Sequence, residues 1–363
     1  MRMSKEQLEE IKNEYGVDTL WSWSRVNAYH TSPYEWFLSY VKHEPEDRTD
    51  CIYGTVGGMC HDILEKLYAG EIKYEDMLPE FEDAYSVARD VVELKFDRNT
   101  PEKDESLASR YYENLEHFFK NHDMIKENMH LEEFTTINIK GNILQGYIDA
   151  YYHSGEQIVI LDWKTSSIYT GDKLINNSGQ LVMYALSFMQ RGYKLSDIHC
   201  AFNFLKYATI TYKMKNGKYK SSNVERRLLA EKLQTPCKTW LKDGGYDVDE
   251  YLKKLIDSNG DLSVMPDDVQ EKITVTDCYV EVPLTNELVQ HWIEYVDDTI
   301  NEINDKIELY KMLDDDEVFM EDEEQVAKES YYHATLSGYS ANKHIPYKRY
   351  LERLEKQKNG EIW

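Results

Sequence analysis

The sequence predicts a single α/β domain in which a mixed central sheet is flanked by helices. The N-terminal part, to about residue 128, is rich in Glu, Lys, Leu and Tyr with few helix breakers after Pro101, which favours helices. Residues 132–165 carry β-branched and aromatic residues between two turn signals, which favours strands. Helical patterning returns after about residue 225. We therefore expect one domain over 1–363, with a core over 22–225 and a helical C-terminal elaboration over 226–363.

The N-terminal part is predicted to be helical. A short charged helix covers 5–14, and a second runs from near Ser24 to about Lys42, with Ser22 or Ser24 as its N-cap. A glycine-bearing loop over 53–58 then leads into a helix with an apolar stripe. Further helices are expected to about residue 128.

The central sheet is predicted to begin with a three-stranded antiparallel meander over 132–165, with turns at 140–142 and 154–156. A helix follows over 178–190, and then two strands over 198–206 and 208–214. The dipeptide Asn216-Gly217 predicts a two-residue hairpin.

The C-terminal part is predicted to contain a short strand over 274–282 and a long amphipathic helix over 286–312. Eight acidic residues fall within positions 314–324. Such a run is typical of a solvated loop or helix end.

The charge balance limits how the chain can meet nucleic acid. Among its 363 residues, 67 acidic and 42 basic side chains give a formal charge of -25. Phosphate would be repelled over most of such a surface, which argues against a general nucleic-acid coat. Any contact with DNA is therefore expected to be local or metal-mediated.

The cysteines and the apolar runs bear on the compartment. The five cysteines are scattered and form no C-x-x-C pair, which disfavours disulfides and structural zinc. The N-terminus has no apolar export signal, and no apolar run reaches the length of a membrane span. We expect a cytoplasmic protein without a membrane partner.

The hairpin centred on residues 154–156 carries the chemistry. Asp149 and Asp162 are equidistant from its midpoint, so they fall opposite each other, about 5 Å apart at Cβ. Lys164 projects to the same side as Asp162. Two opposed carboxylates in a sheet indicate a divalent cation, and an all-oxygen preference favours Mg²⁺ or Mn²⁺ over zinc. The alternative is an ordinary ion pair between Asp149 and Lys164 at the sheet edge.

Five ordered segments resemble a known family. Residues 146–149 (GYID), 162–166 (DWKTS) and 180–185 (QLVMYA) resemble the signature of RecB-type nucleases of the PD-(D/E)XK superfamily, which also includes CRISPR-adaptation nucleases. Upstream, 57–65 (GGMCHDILE) and 23–36 are similar to two further motifs of that family. The resemblance covers about half the chain and implies a restriction-endonuclease-like fold.

The resemblance also implies the roles of single residues. The metal ligands would be His61, Asp149, Asp162 and the backbone carbonyl of Trp163. The catalytic set would be Asp149, Asp162, Lys164, Gln180 and Tyr184. Lysine normally keeps its proton to about pH 10, so Lys164 would act electrostatically on the water and the phosphate. Glu133 resembles an acid of the first strand, and Glu65 would support His61 or a second ion.

Iron-sulfur members of the family use four cysteines, one before the proline of the N-terminal motif and three near the C-terminus. Here the first position is Ser32, and residues 331–347 contain no cysteine. The ligand count excludes such a cluster. His30, His333 and His344 are an alternative metal set, to be weighed against ordinary packing.

A basic segment follows the motif helix. Five lysines interleaved with tyrosines suit phosphate contacts and base stacking along a strand: Lys206, Lys213, Lys215, Lys218 and Lys220. The alternative is a solvent-exposed hairpin whose lysines protect a sheet edge.

These features predict a Mg²⁺- or Mn²⁺-dependent DNA exonuclease of phage or bacterial recombination, repair or replication. Its substrate would be a free DNA end or a single strand. No phosphate-binding G-x-x-x-x-G-K-[ST] motif is present, so any unwinding would come from a partner. The chain would act alone or serve a helicase or replisome. The alternatives are a non-catalytic adaptor with a nuclease fold and an acidic DNA mimic that binds a nucleic-acid enzyme.

Overall fold

A computed structural model describes residues 3–360, so positions 1–2 and 361–363 of the predicted domain lie outside it. The strands are β1 Trp21–Ser22, β2 Met129–Ile139, β3 Asn142–Ser154, β4 Gln157–Lys164, β5 Ile198–Lys213, β6 Tyr219–Glu225 and β7 Ile273–Val282. The helices before β5 are α1 Lys5–Tyr15, α2 Trp23–Thr31, α3 Pro33–Phe37, α4 Tyr53–Ala69, α5 Met77–Ser86, α6 Pro101–Asn121, α7 Asp172–Asn177 and α8 Gly179–Gln190. Those after it are α9 Leu229–Gly244, α10 Val248–Asp257, α11 Asp267–Gln270, α12 Asn286–Leu313, α13 Glu323–Lys328 and α14 Ile345–Lys358. None of the described helices combines the length and apolar character that a membrane crossing requires.

The seven strands form one mixed sheet, which confirms the predicted fold class. β2, β3 and β4 are an antiparallel meander, and β4 pairs with β5 in parallel. β1 pairs in parallel with residues 144–145 of β3. Since β2 already occupies one edge of β3 there, β1 and β4 must share the other edge, which leaves residues 146–149 of β3 between them.

Helices cover both faces of this sheet, as burial of a parallel pair requires. On one face α2, α3, α8 and α12 close a core against the sheet around Ile148, Ile160 and Phe202. On the other face α4, α5 and α6 pack on Ala150, Leu161 and Trp163. A third core joins α9 and α10 to the distal half of β5.

Two predicted helical boundaries are wrong. The helix expected from Ser24 to Lys42 is interrupted at Ser32, whose hydroxyl caps α3 by accepting from the Glu35 amide, with Pro33 as the first helical residue. The loop expected over 53–58 is instead the first part of α4. Tyr53 packs edge-on against Phe96 at 5.2 Å, and this tertiary contact outweighs the low helix propensity of the glycines.

The strand predictions also need correction after residue 190. One continuous strand, β5, replaces the two strands expected over 198–206 and 208–214, because β6 pairs with it from Tyr207 to Lys213, across the predicted gap. The pairing of β5 with β7 is interrupted by a bulge between Asn203 and Ala208. The Asn216-Gly217 hairpin is present with a three-residue turn, since the Met214 amide donates to the Lys218 carbonyl and Gly217 has φ +80.

The acidic run over 314–324 is only partly solvated. Phe319 is buried in the core, and the Glu321 side chain is 1% exposed and accepts a hydrogen bond from the Ser32 hydroxyl. Burial raises the pKa of Glu321 to about 7. This segment therefore packs the C-terminal part onto α3.

Candidate metal centre

Asp149 and Asp162 form the centre of the site. The ladder between β3 and β4 ends at the pair of Ala150 and Leu161, and Asp149 and Asp162 are the residues next to this last pair on the two strands. Asp162 is fully buried; its Oδ1 pairs with the Lys164 ammonium, whereas its Oδ2 has no hydrogen-bond partner among the described residues. One oxygen of each carboxylate and one His61 nitrogen lie within 4.8 Å of one another.

His61 reaches this pair from α4. Its Nε2 lies 2.7 Å from the Trp163 carbonyl, so the neutral ring donates Nε2–H there and leaves the Nδ1 lone pair free. Nδ1 is 3.8 Å from Asp149 Oδ2. Burial lowers the pKa of His61, although the Trp163 carbonyl acts against this, so the ring is neutral and able to bind a cation. In this geometry the Trp163 carbonyl orients the histidine.

Lys164 balances part of the negative charge. Its Nζ lies 2.7 Å from Asp162 Oδ1. Burial would lower the pKa of Lys164, but the Asp162 and Asp149 carboxylates outweigh it, and the net pKa is raised. Lys164 is therefore an ammonium, suited to stabilising anionic charge and unsuited to accepting a proton.

The residues present fit a hard divalent cation. Burial, followed by the Asp162 charge, raises the pKa of Asp149 well above its ordinary value. The orphaned Oδ2 of buried Asp162 needs a positive partner, and one ammonium cannot satisfy both acids. Two carboxylates and one neutral imidazole are ligands that Mg²⁺ or Mn²⁺ accepts.

Gln180 and Tyr184 lie on the first turns of α8. Gln180 Nε2 donates to the Tyr184 hydroxyl at 2.9 Å. Both side chains line a cavity of about 320 Å³ that also contains Asp149. A Cβ on Gly146 would lie 3.0 Å from Tyr184 Cε1, so glycine at this position lets the tyrosine ring lie against β3. Gln180 thus fixes Tyr184 beside the carboxylate pair.

A third acid, Glu132, faces the site. On β2, Leu131 pairs with Ala150 and Glu133 with Ile148, so Glu132 lies across from Asp149. Its φ of +45 is unusual for a residue other than glycine and breaks the alternation of side chains along the strand. Glu132 lines the same cavity as Asp149 and adds to the raised pKa of that residue, after burial and Asp162.

Glu133, the acid suggested by resemblance, lies elsewhere. It accepts from the Tyr151 hydroxyl and from Arg191 at 2.8 Å. The alternation of side chains along β2 does not predict that Glu132, rather than Glu133, faces the site. The positive φ of Glu132 depends on tertiary structure and has no signal in the sequence.

Glu132→Gln is expected to slow phosphodiester cleavage about 10- to 100-fold, the usual effect of removing a group beside a metal ligand. Glu133→Gln is the matched control, since it removes the same charge one residue away, and it should leave the cleavage rate unchanged. Initial rates on a linear DNA substrate measure both. Equal losses in the two variants would mean that Glu132 has no special place at the site.

The five lysines predicted to bind nucleic acid do not form one group. Lys206 is 6% exposed, with its Nζ 3.4 Å from the Tyr111 ring centroid, and burial lowers its pKa to about 7. Lys213 is half-buried near the tip of the β5–β6 hairpin, where Lys215 pairs with Asp243 at 3.2 Å. Lys218 and Lys220 are exposed there. Only the hairpin lysines are available to a strand.

The three histidines considered as a second metal site do not lie together. His333 and His344 have ring centroids 4.5 Å apart and lie beside Glu35, whereas His30 packs on Tyr295. His344 Nδ1 accepts the Tyr347 amide, which leaves its Nε2 protonated and 3.0 Å from the Ser32 hydroxyl. A nitrogen that carries a proton is not a ligand, so the ring is used in hydrogen bonds that cap α14.

One of three comparisons with known proteins identifies a family. A family model described as the PD-(D/E)XK nuclease superfamily matches residues 20–310, which include β1 to β7 and every residue of the candidate metal centre. Searches for similar curated proteins and for similar solved structures found no match. Since the matched stretch is most of the chain, the protein belongs to the PD-(D/E)XK nuclease superfamily.

Proposed function

We propose that this protein is a Mg²⁺- or Mn²⁺-dependent DNA nuclease, of RecB type and without an iron-sulfur cluster, that digests DNA from an end. The observation that carries the proposal is the convergence of His61, Asp149 and Asp162 within 4.8 Å beside the Lys164 ammonium. An adaptor or a DNA mimic has no use for a carboxylate pair whose charge one ammonium balances only in part.

The residues divide the work of phosphodiester hydrolysis. His61, Asp149 and Asp162 would hold the cation. When bound, a divalent cation polarises a phosphoryl oxygen and makes water a stronger nucleophile. Lys164, kept protonated by its neighbours, would stabilise the charge that develops on the phosphate. Tyr184, held by Gln180, would orient the strand at the cavity wall.

Electrostatics support digestion along a confined path. With a formal charge of -25, most of the surface would repel phosphate. The exposed Lys218 and Lys220 lie on the hairpin that extends from β5, the strand next to Lys164. A DNA strand guided along this hairpin would meet few other surfaces that attract phosphate. A helicase or replisome protein would present the strand in single-stranded form during recombination, repair or replication.

Digestion of end-labelled DNA tests the proposal. Purified wild type should degrade linear single- or double-stranded DNA with Mg²⁺ or Mn²⁺, leave circular DNA intact and be inactive in EDTA. Lys164→Met should lose at least about 10³-fold in rate, since several kcal/mol of charge stabilisation disappear. Cutting of circular DNA would show that the protein is an endonuclease and not an exonuclease. Full activity of Lys164→Met would refute the catalytic assignment of Lys164.

A further inference from the structure

Arg25, on the first turn of α2, is a cation without an anion. Its guanidinium lies over the rings of Trp21, Tyr40 and Trp36, at 4.6, 5.0 and 5.5 Å from their centroids. Among the arginines within residues 3–360, only Arg25 has a side chain that makes no ion pair and donates no hydrogen bond. In a chain of formal charge -25, an unpaired arginine stands out, because acids are plentiful.

Part of the Arg25 side chain is removed from water without a polar partner. Its Nε is buried and has no partner, and burial lowers the pKa of the guanidinium without neutralising it. Buried polar groups are normally satisfied, and a buried charge is normally paired. The three rings hold the guanidinium in place, which would preorganise its terminal NH2 groups to bind an oxyanion in the two-pronged manner typical of arginine.

Arg25 lines a cavity of about 330 Å³. Lys5 and Lys12 of α1 also line it, together with the carboxylates of Glu9 and Asp18. Lys12 pairs with Glu9 at 3.0 Å, so these two charges cancel. The remaining charged groups that line the cavity are the cations Arg25 and Lys5 and the anion Asp18. The charge count within the cavity is therefore positive by one.

Gln145 connects this cavity to the metal centre. Its side chain lines both the Arg25 cavity and the cavity that contains Asp149, and its Oε1 is buried without a partner. Gln145 and Asp149 are four residues apart on β3, a distance of about 13 Å along an extended strand. A nucleic-acid strand covers such a span within a few nucleotides.

We propose that the Arg25 cavity binds a phosphate group of the substrate strand, a few nucleotides from the phosphate that is cleaved. The inference rests on the proposed function, because it takes the Asp149 side as the point of cleavage. A terminal phosphomonoester and an internal phosphodiester offer the same oxyanion to the guanidinium, and the substrates below separate them. This contact would fix the register of the strand at a site with few other basic groups.

Binding measured without cleavage tests the subsite. Fluorescence anisotropy in EDTA, with labelled single-stranded oligonucleotides, gives the dissociation constant at several salt concentrations. Arg25→Gln should bind roughly 10- to 100-fold more weakly, the usual effect of losing a charged hydrogen-bond partner. Loss of one phosphate contact should also reduce the salt slope by about 0.7. Arg349→Gln, which removes an exposed arginine paired with Glu317, should change neither quantity.

Three substrates identify the phosphate. If the loss in Arg25→Gln appears only with 5′-phosphorylated strands and not with 5′-hydroxyl strands, the ligand is the terminal group. An equal loss on circular single strands identifies an internal phosphate. Wild-type affinity and slope in a folded Arg25→Gln would overturn the proposal.

A second variant covers the case in which Arg25→Gln does not fold. Lys5→Gln/Lys12→Gln changes only α1 at the rim of the cavity and should weaken binding in the same direction, so an unchanged slope there would overturn the proposal. Arg25-dependent binding by a wild type that cleaves nothing would remove the nuclease assignment and leave the subsite intact.

Discussion

Asp149→Asn is expected to abolish cleavage and to make the metal-free protein more stable. Removing one cation ligand should lower the cleavage rate at least about 10³-fold. The same change removes one of two opposed buried charges but leaves the Lys164–Asp162 pair at 2.7 Å intact. Relief of this repulsion should raise the free energy of unfolding by about 1–3 kcal/mol in EDTA. Urea titration measures the gain.

The pH dependence of stability follows from the same carboxylate. The unfolded chain releases the Asp149 proton near its ordinary pKa of about 3.9, whereas the folded chain keeps the proton to higher pH. Between these values the folded state binds more protons, so metal-free stability falls as pH rises. Asp149→Asn should remove this fall.

Lys164→Met is the informative counterpart of Asp149→Asn. It should also lose activity, but it leaves two carboxylates without their ammonium and should therefore be less stable than wild type in EDTA. Opposite signs of the stability change, with similar losses of activity, would distinguish a metal centre from a structural ion pair. If Asp149→Asn is also destabilised, the like-charge description of this pair is wrong.

Gly179→Ala is expected to destabilise the protein by roughly 3 kcal/mol, at the upper end of overpacking effects. Gly179 begins α8, and a Cβ there would lie 1.9 Å from Trp23 Cη2. The tryptophan cannot easily move, because its ring packs edge-on against Trp292 at 5.1 Å and beside Tyr295 at 6.0 Å. The helix that carries Gln180 and Tyr184 must therefore shift.

Gly58→Ala is the matched control for Gly179→Ala. Gly58 lies inside α4, and a Cβ there would have no neighbouring atom within 4 Å, so alanine should stabilise the helix by about 0.5–1 kcal/mol. Urea unfolding of both variants measures the contrast. Wild-type stability of Gly179→Ala would show that Trp23 does not pack against the start of α8.

Much of the site follows from local pattern. A tight turn between two strands sets their register, so the opposition of Asp149 and Asp162 and the side shared by Lys164 can be predicted from the hairpin alone. His61 needed the resemblance, because α4 is far from the hairpin in sequence and no pattern links them.

The remaining features depend on tertiary structure. The positive φ at Glu132 brings this residue to the site in place of Glu133. The burial of Lys206 against Tyr111 removes one lysine from the basic segment. Burial of Glu321 against Ser32 contradicts the prediction that the whole acidic run is solvated. In each case a contact distant in sequence reverses what composition indicates, and no periodicity carries that information.

Calorimetric titration of the protein with Mn²⁺ tests the central claim most directly. Wild type should bind Mn²⁺ at a site that Asp149→Asn and His61→Ala lose, although both variants remain folded, whereas Glu133→Gln should bind as wild type does. Metal binding to the folded state should also raise the unfolding temperature of wild type and not that of Asp149→Asn. Equal Mn²⁺ binding by wild type and Asp149→Asn would contradict the assignment of this carboxylate pair as a metal centre.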